Sequence, residues 1–201
     1  MSFLYFAYGS NMLSARLTAR CPSAEVIGAA SASDHALEFT KLSKDNSGKA
    51  TLVAENSKGI YTPGVLFEIA KRDLASLDRA EGAGHGYLRH DTFQVRLART
   101  DEDVAATTYL AINTEEQLKP YDWYLALAVA GARQHRLDIG HVQMLCQTEF
   151  CVDGDLTREG RTVALEALAA HGHHDHHQLL RETKAREVTR QSRQDGRKLI
   201  S

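Results

Sequence analysis

Glu81 occupies a position that carboxylates rarely take. In the segment RDLASLDRAEG, residues 72 to 82, Leu74, Leu77 and Glu81 stand at i, i+3 and i+7, the spacing of one helix face. The leucines must turn that face to the core, and the glutamate goes with them. Gly82 then stops the helix, so Glu81 falls in its last turn, at the negative end of the helix dipole. Burial and the dipole both disfavour a charged carboxyl, which makes Glu81 a candidate general acid or base near neutral pH. By the same argument, Glu81→Gln is expected to relieve both penalties and raise stability. The residues alone leave a second reading open, in which the helix end frays and Glu81 turns into water.

Other residue patterns invite chemistry and mostly decline it. EGAGHGYLR, residues 81 to 89, carries glycines at 82, 84 and 86, but it follows a helix and opens a strand, the reverse of a dinucleotide-binding turn. It reads as a close backbone approach to a ligand, a lid, or a plain flexible connection. HGHHDHH, residues 171 to 177, holds five of the ten histidines and sets His173 and His177 at the i, i+4 spacing that can hold a metal. No glutamate follows the first histidine as a metalloprotease helix requires, so an adventitious metal patch is expected there and not a catalytic centre. Ser10, in YGSNM, lacks the second glycine of a nucleophile elbow, and no His/Asp pair is placed to serve it. A serine hydrolase is set aside.

The elements that must position these residues are legible in outline. FLYFAYGSNM, residues 3 to 12, begins as a buried strand and breaks into a small polar turn at Gly9, Ser10 and Asn11. Such a turn is ordinary punctuation before a helix, or a set of backbone N–H groups offered to a carboxylate or developing oxyanion. MLSARLTARCP reads as a short amphipathic helix ended at Cys21 before Pro22. From Glu25 to Ile69 the chain is β-rich, with HALEFTKL, ATLVAE and GVLFEIA separated by turn residues. After the Glu81 helix come two more strands, YLRHDTFQVRLA and AATTYLAI. Pro120 is expected in the first turn of the helix YDWYLALAVAGARQH, and two or three further helices complete the chain. This order predicts an α+β fold, a small curled mixed sheet or barrel flanked by helices, with a helical C-terminal extension.

Composition narrows the classes. The 201 residues suffice for one domain with a real core, and 43% hydrophobic with 25% charged residues is an ordinary globular balance. No apolar run nears the roughly 20 residues of a transmembrane helix, and no leader pattern opens the chain, so a cytoplasmic location without membrane association is expected. Cys21, Cys146 and Cys151 lack metal or disulfide spacing and read as reduced thiols, mostly packing. A net charge of −2 offers no field for nucleic acid. The basic stretch from Arg181 to Lys198 mixes in Glu182, Glu187 and Asp195, and reads as a solvated helix face.

Taken together, Tyr8-Gly9-Ser10-Asn11 at a strand end, Glu81-Gly82 at a helix end, Tyr87 after the glycines, and Tyr121, Trp123 and Tyr124 ahead of Gly131-Ala132 resemble the γ-glutamylcyclotransferase family. The likeness spans about residues 2 to 150 and is strongest in SFLYFAYGSNMLSARLTARCPSA and LASLDRAEGAGHGY. It implies a catalytic domain over residues 1–155, with residues 156–201 as a helical extension. It also implies an enzyme that cyclises a γ-glutamyl amide to 5-oxoproline, releasing an amino acid or amine, with no metal or cofactor. By that resemblance Glu81 is the acid/base, and the loop of Tyr8, Gly9, Ser10 and Asn11 cradles the γ-glutamyl portion. Tyr87 and Tyr124 line the pocket, with core packing as the other reading of each. The partner is a small γ-glutamyl molecule, and the resemblance suggests a homodimer. A γ-glutamyl amine or protected biosynthetic intermediate as substrate, and a binding module without turnover, remain alternatives.

Overall fold

The computed structural model describes residues 1–57 and 59–181. The basic stretch after Arg181, read from sequence as a solvated helix face, therefore lies outside the described residues. Seven strands and five α-helices form the described chain: β1 Ser2–Ala7, α1 Ser14–Arg20, β2 Glu25–Ser33, β3 His35–Leu42, β4 Gly48–Ala54, β5 Tyr61–Ala70, α2 Leu74–Glu81, β6 Tyr87–Leu97, β7 Glu102–Ala111, α3 Asp122–Gln134, α4 Ile139–Gln147 and α5 Glu159–Ala170. Five strands close a barrel in the order β1-β5-β2-β6-β7. Its antiparallel pairs are sealed by one parallel contact between β1 and β7, Tyr5 opposite Thr107. The expected curled mixed sheet is thus a closed barrel, which removes the free edges that such a short-stranded sheet would expose.

β3 and β4 stand apart as a two-stranded sheet. An isolated hairpin is marginal by itself, and this one is fastened to the rest by tyrosines that prove to belong to the site.

α3 is buried on every side from Asp122 to Ala132. It packs against the turn after β1 and against α4 and α5. Pro120 sits outside α3, one residue before the N-cap Tyr121, where its carbonyl accepts the Cys151 N–H at 2.9 Å. That bond, and the Asp122 N–H donated to the Cys151 carbonyl at 2.9 Å, tie the start of α3 to the strand-like segment before α5 and set the helix start two residues later than the proline suggests. α5 lies on α1 and α3, and its Ala164 and Leu168 join the same buried cluster as Phe6, Phe67 and Leu77. Cys21 and Cys146 are buried and Cys151 is exposed, and none of the three is in a disulfide. Among the described residues, no helix is long and apolar enough to cross a membrane.

Candidate active site

β1 ends at Ala7, and the chain turns through Gly9 into a single 3-10 turn, Ser10–Met12, closed by the Met12 N–H on the Gly9 carbonyl at 3.0 Å. The first N–H groups of such a turn have no acceptor within it. Gly9 is required by crowding: a Cβ there would lie 2.9 Å from the Ala50 Cβ and 3.3 Å from the Tyr124 hydroxyl. The turn is therefore pressed between α3 and the β4 backbone, with Tyr8, Ser10 and Asn11 all buried. α2 reaches the same place from the other side. It ends at Gly82, which takes the left-handed conformation with φ 64°, so Glu81 is its last residue.

All seven residues expected in the site, Tyr8, Gly9, Ser10, Asn11, Glu81, Tyr87 and Tyr124, line one narrow inner pocket of about 30 Å³. The glutamate is neither frayed nor free in water. Its side chain is 16% exposed, and Oε1 accepts from the Asn11 amide at 2.6 Å and lies 3.3 Å from Arg20 Nη1. Asn11 is held in turn: its Nδ2 also donates to the Tyr5 hydroxyl at 3.0 Å, and its Oδ1 accepts from Arg20 Nη1 at 2.8 Å. One amide thus bridges a cation, a phenol and the carboxylate, and fixes where the carboxylate points. The contacts from Asn11 and Arg20 to the carboxylate both fall on Oε1.

The tyrosines divide their work. The Tyr124 hydroxyl accepts the Ala50 N–H at 3.1 Å, and the Tyr87 hydroxyl donates to the Ala50 carbonyl at 2.8 Å. These two hydroxyls are committed to the β4 backbone and pin the outlying hairpin over the pocket. The Tyr8 hydroxyl donates to the Tyr109 carbonyl on β7, and the Tyr109 hydroxyl donates to Asp78 at 2.8 Å. Burial first, and then the charge of Glu81, push the Tyr5 and Tyr8 phenols well above their ordinary value; burial likewise raises Tyr87, Tyr109 and Tyr124. All five remain neutral hydrogen-bonding groups at physiological pH.

Sequence reasoning missed Tyr5, Tyr109, Ala50, Arg20 and Arg16. For the arginines a signal was present. Leu13, Arg16, Leu17 and Arg20 stand at i, i+3, i+4 and i+7, the same stripe geometry that exposed Glu81. Arg16 is 8% exposed, and its Nε and Nη1 have no hydrogen-bond partner among the described residues. Burial and then the charge of Arg20 lower it to about 9, while Tyr124, Glu81 and Tyr5 act on it from the pocket side. Ala50 and Tyr109 reach the pocket only through barrel closure and hairpin docking, for which no local pattern exists.

Glu81 also borders a second space. An outer groove of about 660 Å³ runs past Glu81 along Gly82, Ala83 and Gly86, with Lys41, Lys44 and Arg79 on its walls. The glycine-rich segment between Glu81 and Tyr87 is a hydrogen-bonded turn, closed by the His85 and Gly86 N–H groups on Gly82 and by the Gly84 N–H on Tyr87. Inner pocket and outer groove thus meet at one carboxylate.

The histidine pairing expected from spacing is different in the structure. Residues 171–175 are not helical, so His173 and His177 do not share a helix face; a helical turn begins at 176. His176 and His177 instead lie beside Asp122 at the start of α3.

A barrel whose β1 turn and α2 end converge on one glutamate defines a class, and a sequence profile of the AIG2-like family matches residues 62–145. The γ-glutamylcyclotransferases of human and cattle are 32% and 31% identical to the chain over 150 and 153 residues. These matches span 72% and 74% of this chain and 77% and 79% of those proteins. A solved structure of a γ-glutamyl cyclotransferase superposes with a TM-score of 0.73 at 28% identity, covering 83% of this chain and 99% of that one. The chain belongs to the γ-glutamylcyclotransferase family.

Proposed function

We propose that the protein is a γ-glutamylcyclotransferase in which Glu81 is the acid and base and the Gly9–Asn11 turn binds the γ-glutamyl end of the substrate. The observation that carries this reading is that Glu81, the one carboxylate among the residues lining the inner pocket, shares that lining with Gly9, Ser10 and Asn11 of the turn. Glu81 takes a proton from the α-ammonium of the substrate. The freed amine attacks the γ-carbonyl carbon, forming the ring C–N bond, and N–H groups of the turn stabilise the oxyanion. The amide C–N bond then breaks as Glu81 returns this proton to the leaving nitrogen; the carboxylate so freed takes the second proton from the ring nitrogen and passes it to the amine, so that 5-oxoproline departs with the amine as its ammonium. Because attacker and target belong to one molecule, holding them in register supplies much of the rate; well-oriented intramolecular reactions reach effective molarities of about 10⁵ M or more. Arg16, buried and short of partners, adds positive potential for the substrate's α-carboxylate.

The outer groove favours a leaving group that carries its own carboxylate. Lys41, Lys44 and Arg79 outnumber the one further acid there, Asp78, which is already paired with Arg89 at 2.7 Å. We therefore expect γ-glutamyl amino acids to exceed γ-glutamyl amines by about tenfold in kcat/KM, the effect of two or three exposed charge contacts. Measuring 5-oxoproline from a matched panel of both substrate types tests this. Equal rates would remove the groove from recognition, and no 5-oxoproline from any member would leave a binding module. The same proposal takes residues 1–155 as the catalytic unit and carries a cytoplasmic homodimer, which sedimentation of the purified protein measures.

A paired substitution separates backbone from side chain in the turn. Ser10 is the first residue of the 3-10 turn, a position that accepts proline, so Ser10→Pro deletes the N–H with little conformational cost. It is expected to abolish substrate binding, whereas Ser10→Ala, which loses only a contact with the Tyr124 hydroxyl, is expected to be mild. If alanine proves as damaging as proline in folded protein, the hydroxyl is the working group instead.

A further inference from the structure

We infer that Asp122, His176 and His177 form a binding site for a divalent transition-metal ion of the Zn²⁺ type, tying the histidine-rich segment to the start of α3. The side chains converge on a single oxygen: Asp122 Oδ2 lies 3.0 Å from His176 Nε2 and 3.3 Å from His177 Nε2. Two ligand atoms bonded to one tetrahedral zinc at roughly 2.0–2.2 Å are separated by about 3.3 Å, the edge of that tetrahedron. All three donor atoms lie within 4.8 Å of one another, so a single ion can reach them together.

The surroundings are those of a held ligand set. Asp122 is 2% exposed, and its other oxygen, Oδ1, accepts the Asp153 N–H at 3.2 Å, which orients the carboxylate and leaves Oδ2 to the histidines. Asp153 is itself fixed by the Trp123 indole N–H at 2.9 Å and by Arg158 Nε at 2.6 Å. Asp175 is occupied in accepting the Gln178 N–H at 3.0 Å, which caps the helical turn that presents the two histidines. The rings of His176 and His177 pack at 4.1 Å between centroids, an arrangement that charged imidazoles resist and a shared cation stabilises. His176 is buried, but the His177 side chain is 36% exposed, which opens a path for the ion and a fourth position for water. Imidazole and carboxylate donors suit zinc, copper, nickel or cobalt ahead of magnesium or calcium. None of the three residues lines the inner pocket, so the ion is structural and lies apart from Glu81.

The test uses the full untagged chain, stripped with EDTA and desalted, and titrated with Zn²⁺ by calorimetry and with Co²⁺ by visible absorption. The expected result is one site with Kd below about 10 µM, a tetrahedral Co²⁺ spectrum, and a raised Tm with Zn²⁺. The double variant His176→Ala/His177→Ala should weaken binding at least tenfold, while His171→Ala/His173→Ala/His174→Ala should leave it intact. Asp122→Asn, which keeps the Asp153 contact through its amide oxygen, serves if the double variant does not fold, and should also weaken binding at least tenfold. Absence of saturable Zn²⁺ binding, or binding lost in the triple variant and kept in the double, would overturn the site and leave a His–Asp–His hydrogen-bonded cluster.

Discussion

Glu81→Gln is expected to lower 5-oxoproline release by at least about 10²-fold, the lower range for removal of a general acid/base, while the protein stays folded. Glutamine preserves the size of the side chain and can still accept the Asn11 amide on Oε1, but it cannot take the proton of the α-ammonium. The structure changes one part of the expectation drawn from sequence. A lone carboxylate on an apolar stripe would gain stability on neutralisation, whereas this one faces Arg20 at 3.3 Å and accepts from Asn11 at 2.6 Å. Neutralising it leaves the arginine without its counter-charge, so a small loss is expected, about 1 kcal/mol for a pair that is only partly buried. Turnover and thermal unfolding of the same preparation decide both points. Near-normal turnover in a folded variant would take Glu81 out of the mechanism.

Gly131→Ala is expected to destabilise the protein by about 2 kcal/mol or more and to raise KM, against the usual sign for this change. In a helix interior, alanine is normally favoured over glycine by about 1 kcal/mol. Here a Cβ would fall 2.4 Å from the Leu13 backbone nitrogen and 2.5 Å from the Met12 carbonyl carbon. Backbone atoms cannot swing aside as a flexible side chain can, so α3 and the Gly9–Met12 turn must separate, with a cost in the range of overpacking. That movement displaces both Tyr124 and the turn proposed to bind substrate. Gly160→Ala is the matched control: its Cβ would meet only the Trp123 ring at 3.6 Å, an ordinary contact, and a gain of up to about 1 kcal/mol is expected. Equal stability of Gly131→Ala and the parent would refute the close packing of α3 on the turn.

Much of the fold was readable because its signals are local. The short runs HALEFTKL and ATLVAE, separated by turn residues, mark β3 and β4, and the leucine spacing in LASLDRAE marks α2, since turn chemistry and side-chain period both follow from local backbone geometry. Glu81 was legible for the same reason, as an exception to a period. Arg16 and Arg20 carried an equal exception in α1, and their stripe was equally available. His173 illustrates the opposite case, because an i, i+4 spacing has meaning only if the segment is helical, and residues 171–175 are not.

The sequence by itself determined the elements, the turn after β1, and the one carboxylate set against an apolar face, because each depends on residues within a few positions of one another. Only the tertiary structure decided that β1 closes on β7, that β4 lies over the pocket with its Ala50 peptide held between Tyr87 and Tyr124, and that Asn11 joins Glu81 to Arg20. Apart from the nearby Asn11–Arg20 bond, those contacts join residues 37 to 102 positions apart. Their energies come from burying surfaces that meet only after closure, and no local periodicity records which surfaces those will be.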